Sequence, residues 1–201
     1  MDLDVRRPGR VDFDVAWALQ RELAAQATPE RGFLLLLEHP PVITVGRNGR
    51  ADNVLAAGDV PVKRIDRGGD VTVHGPGQLV GYPIVDVRRL GVRRFVRAIE
   101  RSIVALLAEL GVEARAKPDC VGVWAKGGKI ASIGVRVSRG VSTHGFALNV
   151  GSDLSLFDRI NPCGIPGCAL TSVSRELGRE LSVDEAASGF RLLLPGTRVQ
   201  S

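Results

Sequence analysis

Residues 121–150, VGVWAKGGKIASIGVRVSRGVSTHGFALNV, decide the fold class. Val121–Trp124, Lys129–Val137 and Gly145–Val150 read as strands, joined by turns at Gly127-Gly128 and Arg139-Gly140. No helical segment separates them. Helical patterns flank the run instead. Before it, Arg93–Leu110 carries an apolar stripe of Val96, Ile99, Ile103, Leu106, Leu107 and Leu110, and Gly111 stops it. After it, Ser182 and Glu185 form a capping box for a last helix through about Leu193. Further upstream, Asp12 caps a helix from Phe13 to about Ala27, with Val15, Leu19 and Leu23 on one face. Gly32–Glu38 is a buried strand that His39-Pro40-Pro41 breaks, and Val42–Val45 resumes extended structure. Val60–Arg64 is a short strand, Gly68–Gly81 is dense in glycine, and Asn161–Cys168 is a loop. The order is mixed α+β rather than a regular alternation of strand and helix.

Composition bounds the rest. At 201 residues the chain buries about 70% of its unfolded surface and needs no disulfide to fold. With no linker, repeat or low-complexity tract, one domain over residues 1–201 is expected. No apolar run approaches the roughly 20 residues of a membrane span, and Asp2, Asp4, Arg6 and Arg7 do not make a signal region. A cytoplasmic protein with no membrane association is therefore expected. Three cysteines (Cys120, Cys163 and Cys168) at irregular spacing argue against a disulfide framework. Beside them stand only His39, His74 and His144, without zinc-site spacing, so no metal is expected. The net charge of +5 favours acidic partners. Aromatics at 4% and the lack of a basic tail make nucleic acid an unfavoured one.

Four segments can carry chemistry. In Arg67-Gly68-Gly69-Asp70-Val71-Thr72-Val73-His74-Gly75-Pro76-Gly77-Gln78, glycines let backbone N–H groups approach a ligand, although a tight turn between strands explains them equally well. The segment matches neither a phosphate loop nor a dinucleotide fingerprint. In Gly127–Gly134, Lys129 opens an apolar strand. Such a lysine usually sits at a strand end in water. Inside a cleft it would stabilise a thiolate and exchange a proton. In Asn161–Cys168, Cys163 lies between Pro and Gly on a loop, whereas Cys120 and Cys168 fit the ordinary role of small buried hydrophobes. His144-Gly145 with Asn149 forms the fourth group, where a lone histidine is more often structural than catalytic.

These segments, taken in order, resemble the lipoyl(octanoyl) transferase family, also called lipoate-protein ligase B. The resemblance runs from Leu34–Val42 through Arg67–Gln78 into Tyr82-Pro83-Ile84. It continues in Gly128–Ala131, in His144-Gly145 with Ala147–Val150, and in Asn161–Gly164. It implies the class II synthetase-like fold of the biotin and lipoate ligase catalytic domain. It implies Cys163 as acyl-thioester nucleophile and Lys129 as its partner. It further implies an acyl group lying against Arg67, Gly68, Gly69, Asp70, Val71, Thr72, Val73 and His74, against Ser132, Ile133 and Gly134, and against Gly145, Phe146 and Ala147. The tyrosine frequent near the first helix of the family is Phe13 here. The implied donor is octanoyl-acyl carrier protein. The implied acceptors are lipoyl domains of 2-oxoacid dehydrogenase subunits and the glycine cleavage H protein. No cofactor is implied.

The physical chemistry of that reaction is simple. Passing an acyl group from one thioester to Cys163 is nearly balanced, and passing it to a lysine amine is strongly downhill, so no ATP is needed. A free thiol of pKa about 8.5 is only a few per cent thiolate at pH 7, and an ammonium within about 4 Å favours the thiolate. The acceptor lysine, of reference pKa about 10.4, must lose a proton before it attacks. Each buried methylene adds about 0.8 kcal/mol, and Gly75, Gly77, Ala131, Gly134 and Ala147 could leave room for an apolar chain. Arg93, Arg97 and Arg101 form one stripe on the long helix, either a solvated face or a docking strip for an acidic carrier. Two other readings compete: an ATP-dependent lipoate or biotin ligase on the same fold, and a non-catalytic module that binds carrier domains.

Overall fold

The computed structural model describes residues 1–151, 153–164 and 167–199, with Cys163 and Val199 described by their backbone alone. Two sheets organise it. The larger takes β1 (Asp2–Arg10), β2 (Arg31–Glu38), β6 (Gln78–Ile84), β7 (Ala114–Ala116), β8 (Val123–Ala125), β9 (Gly128–Ser138), β10 (Val141–Asn149) and β11 (Arg198–Val199). Their spatial order is β11-β1-β2-β6-β10-β9-β8-β7. The β1 strand pairs in parallel with β2 and β11, and every other pairing in this sheet is antiparallel. The smaller sheet has the order β4-β3-β5, from Val62–Arg64, Val42–Val45 and Val71–His74.

The Leu34–Leu37 run of β2 is buried on both faces because helices cover both. Leu34 and Leu36 join the core under α2 (Val92–Glu109), and Phe33, Leu35 and Leu37 pack under α1 (Phe13–Gln26). Strand alternation thus splits one apolar run between two cores. Phe95, Ile99, Ile103 and Leu107 of α2 are fully buried, and each contributes about 1.5–3 kcal/mol of transfer free energy. The expected stripe is displaced slightly: Phe95 and Ala98 join it, while Val96 and Leu110 are only half-buried.

The face expected for α1 is corrected. Val15 is 60% exposed, and the buried line is Phe13, Ala16, Gln20 and Leu23. Steps of four drift around a helix of 3.6 residues per turn, whereas 13, 16, 20 and 23 stay on one side. Polar Gln20 disguised that line; its Oε1 accepts from the His144 backbone N–H at 2.7 Å. Asp12 caps this helix by accepting from Asp14 N at 2.8 Å. The Ser182–Glu185 capping box is present, but α4 spans only Val183–Gly189. Beyond it Phe190 and Leu192 enter the core as extended chain. A short α3 (Val173–Leu177) precedes it.

The 139–140 turn carries positive φ at both Arg139 (51°) and Gly140 (85°), which suits the twist of a tight hairpin. It sets the β9–β10 register, placing Ser132 opposite Ala147, Ile133 opposite Phe146 and Gly134 opposite Gly145. β10 begins at Val141, four residues before the expected strand. Among the described residues no helix is long and apolar enough to cross a membrane.

Candidate active site

A cavity of about 320 Å³ opens between the small sheet and the β9–β10 hairpin. Three stretches far apart in sequence meet there: Arg67 and 69–72 with His74, Ser132–Gly134, and Gly145–Ala147. Two residues of the first stretch stay out of the lining. Gly68 is fixed to β9 by donating to Val135 O at 2.9 Å, and Val73 alternates away from Thr72 and His74 into an apolar cluster with Ile43 and Val71. Ala131 belongs to the main core rather than to the cavity, and Gly77 N donates to Glu38 Oε2 at 2.6 Å in the β5–β6 turn.

Lys129 lines this cavity and is 2% exposed, so it is no strand-end lysine in water. Its backbone holds a flanking segment, with Lys129 N donating to Ala169 O at 2.8 Å and Thr171 N donating to Lys129 O at 3.1 Å. Its Nζ lies 5.6 Å from the Trp124 ring centroid, within cation–π range. Gly122 (φ 132°) makes room for it, since a Cβ there would stand 2.7 Å from Lys129 Cε. The Cys163 backbone lies in a 3-10 turn, Pro162–Gly164, packed against β5, and its side chain lies outside the described residues. Cys120 and Cys168 are half-buried, and Cys120 also lines the cavity.

An uncharged aromatic wall completes the site. His39 Nδ1 donates to Val11 O at 2.6 Å, which leaves Nε2 to accept from the Tyr82 hydroxyl at 2.8 Å. Burial pushes the His39 pKa down and the Tyr82 pKa up. His74 Nδ1 lies 2.7 Å from Gln78 Oε1. Gln78 Nε2 donates to Asn149 Oδ1 at 3.0 Å, and Asn149 Nδ2 donates to Thr171 O at 3.1 Å. The chain ends on a carbonyl, so both amides are oriented by it, and His74 Nδ1 carries the hydrogen. Burial, with His39 nearby, lowers the His74 pKa to about 3.

His144 Nε2 donates to Asp66 Oδ1 at 2.8 Å, and Asp66 also pairs with Arg136. Asp66 favours the imidazolium, but burial and the Arg67 and Arg136 guanidinium groups prevail and hold the His144 pKa at about 3. His144 is thus a neutral ring at φ 56°, a structural anchor beside the cavity. Arg67 is buried and donates to Thr44 O at 2.8 Å, Thr44 Oγ1 at 3.0 Å and Gly68 O at 3.0 Å.

Several lining residues lie outside the stretches expected to hold the acyl group. Phe13 and Tyr82 come from α1 and β6, and Asp119, Cys120 and Val121 come from the loop before β8. Asp119 and Val121 are exposed, so the cavity opens beside that loop. The arginine stripe divides. Arg93 and Arg101 are exposed, while Arg97 bonds buried Glu100 at 2.8 Å and the carbonyls of Lys117 and Pro118 at 3.3 and 3.0 Å. Among the described residues no group of three or more His, Cys, Asp or Glu is placed to hold a metal ion.

Residues 12–191 match the model of the lipoyl protein ligase A/B catalytic domain. An octanoyltransferase of Cellvibrio japonicus is 53% identical over 174 residues, covering 85% of this chain and 81% of that one. An octanoyltransferase of Rubrobacter xylanophilus is 48% identical over 212 residues, covering 97% and 96%. Among solved structures, a bipartite lipoate protein ligase of Thermoplasma acidophilum superposes with a TM-score of 0.76 at 15% identity, covering 94% of this chain and 80% of that one. A biotin protein ligase of Aquifex aeolicus superposes with a TM-score of 0.54 at 11% identity, covering 92% and 66%. The fold is therefore the mixed α+β, class II synthetase-like arrangement of these ligases, as the motif order implied.

Proposed function

This chain belongs to the lipoyl protein ligase A/B catalytic-domain family, and on that premise we propose that it transfers octanoyl groups through a thioester on Cys163, assisted by Lys129. It is an acyltransferase of lipoate biosynthesis, working between acyl carriers and lipoyl domains. The acceptors we assign are the lipoyl domains of 2-oxoacid dehydrogenase subunits and the glycine cleavage H protein.

Both half-reactions balance without a co-reactant. Cys163 gives its proton to Lys129 and attacks the carrier thioester as the thiolate; a new C–S bond forms, the carrier's C–S bond breaks, and the carrier sulfur leaves with the proton returned from Lys129. The acceptor lysine amine then attacks the Cys163 thioester. A C–N bond forms, the C–S bond breaks, and the proton of the amine passes to Lys129 or to the departing sulfur. Oxygen charge builds up on the carbonyl in each step. The buried Arg67 guanidinium, together with Lys129 while it holds a proton, is placed in the lining to oppose it.

The observation that carries this reading is the convergence of Lys129, Ser132–Gly134, Gly145–Ala147 and the 67–74 stretch on one cavity. Ile65, Val71 and Ile133 give it an apolar side for the octanoyl chain, worth about 0.8 kcal/mol per buried methylene. Gly134 lets Arg67 and Gly68 approach β9, since a Cβ there would stand 2.8 Å from Gly68 O and 3.1 Å from Arg67 Cδ. A donor comparison tests the reading. Octanoyl-carrier alone should modify a lipoyl domain, and octanoate with ATP should not. Modification by octanoate and ATP alone would establish the ligase instead.

A further inference from the structure

The 162–164 turn is braced from outside by residues before and within the glycine-rich stretch. Asn53 Nδ2 donates to Asp70 Oδ2 at 2.7 Å, and Arg50 N donates to Asp70 Oδ1 at 3.2 Å. Asp70 itself is held from behind, its carbonyl accepting from Gly46 N at 3.1 Å. The same Asn53 accepts from Asn161 N through its backbone carbonyl at 2.8 Å. One residue further on, Val54 bridges Ile160 in antiparallel fashion, and Leu55 N donates to Arg159 O at 2.8 Å. Residues 53–55 thus run as a splint along 159–161, just before the turn.

On the far side of the turn, Gly164 adopts φ 70° and lies directly against this pair. A Cβ at that position would stand 2.5 Å from Asp70 Oδ2 and 3.3 Å from Asn53 Nδ2. Gly164 N also donates to Asn161 O at 3.0 Å, closing the turn on itself. Asn53 and Asp70 therefore touch the turn on both sides of Cys163: its entry through Asn161 and its exit through Gly164.

We infer that Asn53 and Asp70 are positioning residues that fix the turn bearing the nucleophile, and that Asp70 serves there as well as in the cavity lining. This inference rests on Cys163 being the acylated residue. Reaction rates fall by about a hundredfold for a misplacement of ~1 Å, so loosening either end of the turn slows acylation without touching carrier binding. Asp70→Asn places an amide N–H₂ against one of two donors, Arg50 N–H or Asn53 Nδ2–H, and breaks the brace while keeping its shape.

The test is single-turnover acylation of the full chain by octanoyl-carrier, read on the Cys163 peptide by mass spectrometry, for wild type, Asn53→Ala, Asp70→Asn and the double variant. Each single variant should acylate at least tenfold more slowly, and Asn53→Ala, which lies outside the cavity lining, should do so with KM for the carrier within about twofold of wild type. The double variant should be no slower than the slower single one, since both changes break one brace. Acylation at the wild-type rate in either single variant overturns the inference. So does a double variant whose loss is the product of the two single losses. An unmodified Cys163 peptide in the wild type would instead overturn the nucleophile assignment.

Discussion

In the reaction we propose, the chemistry turns on Lys129, a long side chain held almost wholly out of water. Replacing it by Met keeps the stem and removes the charge. Acyl transfer should fall by about 10²–10⁴-fold, the usual worth of a positioned acid or base, with Tm within a few degrees of wild type. Steady-state rates beside a thermal melt check this, and a near-normal rate would remove Lys129 from the mechanism. The buried histidines make a separate statement about pH. His74 and His144 titrate near 3 in the folded chain and near 6.5 when unfolded. As pH falls below 6.5 the unfolded chain binds protons that the folded one refuses. Stability is thus complete above that point and is lost progressively down to about 3. Between pH 6.5 and 5 each histidine accounts for about 2 kcal/mol. Urea unfolding at pH 7 and pH 5 should show this loss, and His144→Gln should show a smaller one.

At the scale of elements, the β9–β10 hairpin brings two halves of the lining face to face. Its turn residues, Arg139 and Gly140, are visible in the sequence, and once they fix the register Gly134 must oppose Gly145. Gly145 also faces β6 closely: a Cβ there would collide with Gly81 O and stand 2.6 Å from Pro83 Cδ. Gly145→Ala should therefore cost at least 1–3 kcal/mol of stability, about the usual toll of overpacking, measurable as a lowered urea midpoint. Other elements were not legible. β1 is mostly polar, DLDVRRPGR, and only Leu3 is fully buried; backbone pairing with β2 makes it a strand. β5 and β6 hid within a stretch whose glycines dominated its appearance. The lining residues Phe13, Tyr82 and Cys120 could not be grouped from sequence, because nothing local links α1, β6 and the 117–122 loop. Lys129 could be singled out, but its burial depends on Gly122 and Trp124, which only the assembled sheet brings near. Arg97 is a similar case, since its partner Glu100 is a carboxylate only 1% exposed, which residue type alone does not reveal. Arg97→Ala leaves that carboxylate with Gly122 N–H as its remaining described donor and should lower Tm, whatever the salt concentration.

For the molecule as a whole, the net charge of +5 suits an acidic carrier. KM for the carrier should rise between 50 and 300 mM salt, roughly the range over which screening shortens from beyond 10 Å to well below it. The Arg93→Gln/Arg101→Gln variant should flatten that dependence if the exposed part of the stripe meets the carrier. The proposed reaction passes through a covalent octanoyl-enzyme on one cysteine of three. Its most direct measurement is the mass of the protein, then of its peptides, after incubation with octanoyl-carrier and no ATP. A gain of one octanoyl group on the peptide containing Cys163, discharged when a lipoyl domain is added, is the result expected. Octanoylated lipoyl domain formed at full rate with no octanoyl group ever on Cys163, or by a Cys163→Ala variant, would contradict it.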